Sequence, residues 1–313
     1  MSKKENYRRY SDLISLPIFY KPWWLDVVCG SDKWNISLVE NENGINGIFP
    51  YYEKRSKFYT MPELTPYLGP YLLYPEQQNY YNQLKYEKDI MKDLIYQLPS
   101  FNYFSMRFPI TIKNWLPFYW EGFQETTRYT YILDLNQDID SLFSQLKENV
   151  RRNIKKAQKY LSVVDGWEDT SYFYELLNTN LNVKYSNAFL EEVVKHSYQK
   201  DSGKLLAVKD EAGQLYCAMF MVWDENYAYY LLGAREPKIK DARAMSLLMW
   251  EAIKFARGKT KNFDFEGSMI KPIERFFRSF GTKQVPYFHI HQYNSLLIRS
   301  LIGIRGIFNK KYF

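Results

Sequence analysis

Cysteine and histidine are scarce in this chain of 313 residues, which has only Cys29, Cys217, His196, His289 and His291. The two cysteines are far apart and lack CxxC spacing, which excludes a disulfide framework and a thiolate zinc site. They read as small apolar core residues. No carboxylates or thiols cluster around the histidines, so no metal site is expected. His289 and His291 alternate on a predicted strand and share one face, where sheet packing or a surface role is the reading set against catalysis. No apolar run reaches the ~18 residues of a membrane-spanning helix. The N-terminal MSKKENYRRY leads into no signal-type apolar core. The expected location is therefore the cytoplasm, with association at a membrane surface left open.

Aromatics, by contrast, are abundant at 19%, and hydrophobic residues reach 46%, enough for a sizeable core and too much for global disorder. A net charge of +7 favours anionic partners such as RNA, nucleotide phosphates or an acidic membrane surface, without requiring any of them. One block occurs twice. NYFSMRFPITIKNWLPFYWEG runs from Asn102 to Gly122, and NFDFEGSMIKPIERFFRSFG from Asn262 to Gly281. In each, Asn and an aromatic open a short apolar strand, bulky aromatics follow, and Gly beside Phe leads into a Tyr-bearing strand, YTYILDL from Tyr129 or VPYFHIH from Val285. A single repeat at so long a period points to two similar domains rather than a solenoid, and the length allows about two domains of ~150 residues.

The second half is predicted to run as a strand over 128–134 and a long helix over about 139–160, on which Leu142, Leu146, Val150 and Ile154 recur at helical spacing. Helices over about 171–181 and 187–198 follow. Three strands then meander over 204–208, 214–222 and 227–232. A helix over about 244–257, stopped by Gly258, precedes a strand over 263–266, a helix over 272–279 and a strand over 285–289. In the first half, WNISLVENENGINGIFPYYEK reads as a hairpin turning at Asn43-Gly44. The Pro- and Tyr-rich MPELTPYLGPYLLYP then connects to a helix over about 77–97.

This order resembles the GNAT acyltransferase fold, and three stretches resemble its Fem-type (FemAB-like) members: MPELTPYLGPYLLY, YTYILDLNQDIDSLFSQLKENVRRNIKKAQK and FDFEGSMIKPIERFFRSFG. The resemblance implies an α/β protein of two tandem GNAT-like domains, 1–127 and 128–313, with mixed sheets flanked by helices. It also implies an enzyme that transfers an acyl or aminoacyl group to an amine acceptor held between the domains. Two features depart from the family pattern. No sustained heptads supply the coiled-coil arm by which some Fem enzymes hold tRNA. Where acetyl-CoA-dependent members carry a glycine-rich pyrophosphate loop, this chain reads IKDARAMS. Arg243 and the helix start at Ala244 remain as the candidates to meet a phosphate. No resident cofactor is expected, and the donor stays open between acyl-CoA, acyl carrier protein and aminoacyl-tRNA. DNA is not an expected partner.

Amide formation needs a base for the attacking amine and donors for the developing oxyanion. Asp264 and Glu266 are expected on one strand face, ~6–7 Å apart. Glu266 is favoured because Gly267 follows it, and ion pairing with Arg243, Lys271 or Arg275 is the structural alternative. The resemblance places Arg278 near the transferred acyl group, against a surface ion pair. Lys147, Arg151, Lys155 and Lys159 recur at four-residue spacing, widened by Arg152 and Lys156, as a stripe for phosphates or as a solvated helix face. By resemblance, Lys33, Trp34, Tyr67 and Tyr71 belong to an acceptor-side surface, against ordinary packing. The C-terminal LLIRSLIGIRGIFNKKYF reads as a docked final segment or a membrane-surface contact. Beside transfer chemistry stand two alternatives: an N-acyltransferase acting in lipid or secondary metabolism, and a non-catalytic GNAT pair that binds RNA or membrane.

Overall fold

The computed structural model describes residues 2–42, 44–166, 170–180, 185–241, 243–267 and 269–294. The chain forms two compact units, one running to Tyr129 and resuming at Pro286, the other spanning Thr130–Val285. The second half of the chain does not form a unit to its end, because its last strand returns to pair in the first unit.

In the first unit, helices α1 (Lys3–Ser11) and α2 (Pro22–Cys29) precede strands β1 (Trp34–Asn41), β2 (Gly44–Arg55), β3 (Phe58–Thr60) and β4 (Tyr71–Leu72). Helix α3 (Tyr80–Tyr96), strand β5 (Tyr103–Arg107) and helix α4 (Leu116–Trp120) follow, and then strand β6 (Gln124–Asp134), which carries the chain onward. Asn79 caps α3 by accepting the Asn82 N–H at 2.9 Å, and Ile90, Met91, Leu94 and Ile95 bury its apolar stripe.

The second unit continues with α5 (Ile139–Gln145), α6 (Glu148–Ala157), β7 (Leu161–Asp165), α7 (Thr170–Asn180) and α8 (Asn187–Gln199). Strands β8 (Gly203–Asp210), β9 (Leu215–Trp223) and β10 (Tyr227–Arg235), helix α9 (Arg243–Arg257), strand β11 (Asn262–Asp264), helix α10 (Lys271–Arg278) and strand β12 (Lys283–Tyr293) complete the order. Within the first unit the strands lie in the order β1-β2-β3-β5-β12, with β4 also on β2. Within the second the order is β6-β11-β10-β9-β8-β7. Strand β9 is buried at every position but Tyr216, as expected of a strand covered on both faces. Side chains alternate across the neighbouring β8: Leu206 and Val208 join the core formed with α6 and α9. Cys217 in this core and Cys29 in the first unit are free and buried.

Two expectations change. The long helix over 139–160 is two helices, because Leu146 is extended (φ −62°, ψ 141°) and the Lys147 N–H donates to the Ser279 carbonyl at 2.9 Å instead of to its own helix. Periodicity survives the break because Leu146 is buried on the same side as Leu142 and Val150. The chain after Tyr160 then forms β7, paired antiparallel with β8, rather than more helix.

The internal repeat is real at the level of structure. Each copy is a short strand, a helix, and a glycine at positive φ (Gly122 at 82°, Gly281 at 77°) that turns the chain into an 11-residue strand. A Cβ on Gly281 would lie 3.0 Å from the Gln145 Cβ and 3.2 Å from its carbonyl oxygen, at the break between α5 and α6. Gly281→Ala is therefore expected to cost about 1–3 kcal/mol in urea unfolding. Gly258→Ala, where the nearest neighbour is the Phe255 carbonyl at 3.5 Å, should stay within about 0.5 kcal/mol.

Candidate active site

In the second unit, β10 and β11 pair in parallel over only three residues, Tyr227–Tyr229 with Asn262–Asp264. Past that point the Phe265 N–H donates to the Tyr131 carbonyl of β6 at 2.9 Å, so the chain stays with β6 and leaves β10. Glu266 then adopts φ +57°, a left-handed backbone that a non-glycine residue reaches only at a cost. On β10 a register shift leaves Leu231 without a cross-strand partner on β9, since Tyr230 faces Met221 and Leu232 faces Phe220. The divergence opens a cavity of about 710 Å³. Its walls are Tyr230, Leu231, Leu232, Gly233 and Arg235 of β10, Met245 of α9, Phe265, Glu266 and Gly267, and Ile270, Ile273, Phe276 and Phe277 at and before α10.

The lining is mostly apolar, with Glu266 and Arg235 as its charged members. Met269, Ile270 and Ile273 are exposed nearby. Tyr230 is set by close packing: a Cβ on Gly233 would meet its hydroxyl oxygen at 1.8 Å, so only glycine admits this ring. Burial, with smaller contributions from Cys217 and Glu266, pushes the Tyr230 phenol well above its ordinary range. It stays a neutral hydroxyl in the cavity wall.

Asp264 and Glu266 do not share a strand face as expected. Strand β11 ends at Asp264, and the left-handed turn at Glu266 breaks the alternation. Asp264 is 1% exposed and accepts hydrogen bonds from the Thr130 hydroxyl and from the Glu266 N–H, the latter at 2.8 Å. It braces the turn, while Glu266 forms part of the cavity wall.

The other sequence candidates divide. The Arg243 guanidinium forks onto Asp241, with Nε to Oδ1 at 2.8 Å and Nη2 to Oδ2 at 2.9 Å, and lies over the Tyr160 ring. Asp241 also accepts the Arg243 N–H at 3.0 Å, and Ala244 is 2% exposed. A carboxylate of the chain itself thus engages Arg243 where a phosphate was expected. Arg278 pairs with Glu274 at 2.8 Å on an exposed face and is absent from the cavity wall. Trp34 is buried, donates to Asp26 at 2.9 Å and lies under the Lys4 ammonium, and Tyr67 is buried edge-on to Tyr287. Neither can stack on a ligand. Tyr71 packs on Tyr20, and Lys33 is exposed.

Of the basic stripe, Arg151 turns back to the Ser144 carbonyl at 2.7 Å, and Lys155 lies over the Phe143 ring. Lys147 precedes α6 and Lys159 follows it, so the stripe spans one short helix. Arg152 and Lys156 are exposed. The C-terminal segment 296–313 lies outside the described residues. Sequence reasoning missed Tyr230, Leu231 and Arg235. The only signal for them was a glycine inside the apolar strand YAYYLLGAR.

Asp241 yields a pH prediction. Hydrogen bonds from Arg243 hold its carboxyl down at about 2, below the ordinary carboxylate value, with Tyr160 assisting. A depressed folded-state pKa adds stability above the unfolded-state value, and that stability is lost as pH falls through the folded one. Urea midpoints should therefore fall more steeply between pH ~4 and ~2 in the parent protein than in Asp241→Asn. Parallel curves would rule out this contribution.

Residues 144–269 match the family model for the acetyltransferase (GNAT) domain. No curated protein sequence matches the chain. The crystal structure of FemX is similar with a TM-score of 0.66 at 12% identity, over 96% of this chain and 98% of that one. The DUF2156 C-terminal domain of an Agrobacterium fabrum protein, assigned provisionally as lysylphosphatidylglycerol synthetase, reaches 0.59 at 11%, over 98% of each chain. A tandem GNAT protein from the clavulanic acid biosynthesis pathway reaches 0.53 at 8%, over 87% and 94%. The chain has the tandem fold of these structures, and within it residues 144–269 match an acetyltransferase (GNAT) domain.

Proposed function

We propose that the protein transfers an acyl or aminoacyl group to an amine, forming an amide, with the reaction centred on the cavity between β10 and the chain after β11. The observation that carries this reading is Glu266, held in a strained left-handed conformation where the two strands part and lining the apolar cavity. The amine nitrogen attacks the ester or thioester carbonyl, forming the C–N bond and breaking the C–O or C–S bond. Glu266 takes the proton from the nitrogen and returns it to the departing oxygen or sulfur. The edge of β10 from Tyr230 onward lacks a β11 partner, and its amides, with the Tyr230 hydroxyl, are the donors available to the oxyanion.

Charged tRNA is the donor on the Fem-like reading. The apolar lining from Leu232, Met245, Ile273 and Phe276 favours a second one, in which acyl-CoA or acyl carrier protein delivers an apolar acyl group. A donor that binds only the native state raises its melting temperature. Stabilisation by a CoA thioester or acyl carrier protein selects the second reading, and by aminoacyl-tRNA alone the first. Glu266→Gln is expected to lower kcat by about 10²–10⁴ while leaving donor stabilisation intact. Unchanged turnover in that variant would remove Glu266 from the mechanism, and no stabilisation by any donor would favour a non-catalytic protein.

A further inference from the structure

The first unit contains a cluster of polar side chains that plays no part in this chemistry. Strands β5 and β12 pair antiparallel with Arg107 opposite His289 and Ser105 opposite His291. Phe104, Met106 and Ile290 are fully buried on one face of this ladder, so Ser105, Arg107, His289 and His291 lie on the other. There the Ser105 Oγ lies 2.8 Å from the His289 Nε2, and the two imidazoles are 6.1 Å apart.

The cluster carries cations that have no counter-ion among the described residues. Burial first, then the charges of Arg128 and Arg107, bring the His289 pKa down to about 4, so its ring is neutral at pH 7. Arg128 lies on β6, the strand beside β12, and Arg107 and Arg128 are both half-buried. The Arg107 guanidinium donates to the Thr65 carbonyl at 3.3 Å, and among the described residues neither guanidinium has a carboxylate within ion-pair distance. The nearby acid, Glu125, accepts the Thr127 hydroxyl at 2.7 Å and acts on His291. Two partly desolvated guanidiniums without an anion are unfavourable. With a hydroxyl and an imidazole beside them, they offer more donors than the two oxygens of a carboxylate can use.

We propose that Arg107, Arg128, Ser105 and His289 form a binding site for a phosphate group on the first unit. Nothing in the acyl-transfer reading depends on it. Two arginines supply forked donors, which suit phosphate oxygens better than lysine would, and Ser105 with His289 adds a hydrogen-bonded rim.

Because the chain has three histidines, their ring signals can be followed individually by NMR, with His289 assigned by its loss in His289→Gln. Titration with inorganic phosphate at pH 7 should move the His289 signal saturably and leave His196 unmoved. Arg128→Gln and Arg107→Gln should each weaken binding at least tenfold, with His196 and the melting temperature reporting an intact fold. Arg107→Lys, which keeps the charge and loses the fork, should fall between. Tighter binding of a nucleoside monophosphate than of glycerol 3-phosphate assigns the phosphate to a nucleotide, and the reverse order to a lipid headgroup. No saturable shift, shifts unaffected by both arginine variants, or acetate binding as tightly as phosphate would overturn the proposal.

Discussion

Three hydrogen bonds set the geometry on which the candidate site depends. The Phe265 N–H bonds to β6, and the Asp264 carboxylate bonds to both Thr130 and the Glu266 N–H. Together they commit the chain after β11 to the β6 side, so it cannot follow β10 further. A strand edge without its neighbour and a carboxylate at the point of parting are consequences of that commitment. Asp264 is essential to this arrangement as a brace: buried and doubly hydrogen-bonded, it is held where an unpaired carboxylate would be costly.

The same economy of close contacts appears at the junction of α5 and α6. Leu146 keeps the apolar period while its backbone turns extended, and Ser279 and Gly281 pack against the break. Helix α10, which supplies Ile273, Phe276 and Phe277 to the cavity wall, is thereby tied through its C-terminal residues to the start of the unit. The repeated block uses one device twice, since in each copy a left-handed glycine after a short helix launches a long strand. Glycine is suited to both places because the positive φ carries no Cβ penalty there.

The aromatic richness of the chain is largely spent on packing. Phe49, Phe104, Phe108, Phe118 and Phe123 interlock edge-to-face in the first unit, and in the second Phe276 meets Phe280 edge-to-face while Phe265 packs tilted on Phe277 and Phe280. Trp34 and Tyr67 belong to the same economy, which is why residues that resembled a ligand surface in one dimension are buried in three. Charged candidates met a similar fate. Arg243, Arg278 and Arg151 each found a partner within a few residues along the chain.

Most of the strands and helices and the duplicated block were legible in the sequence, because periodicity, turn residues and a repeated pattern are local properties. Boundaries held for α8, β9 and α9 to within a residue or two for the same reason. Tertiary structure alone decided that the 139–160 helix breaks, that β12 returns to the first unit, and that Asp264 and Glu266 part company. Each of these turns on a contact with residues distant in sequence: Ser279 on Lys147, β5 on β12, Thr130 on Asp264. Hydropathy cannot encode which distant backbone group takes a given hydrogen bond. The cavity made by such choices, with Tyr230, Leu231 and Arg235 in its wall, therefore became visible only in the folded chain.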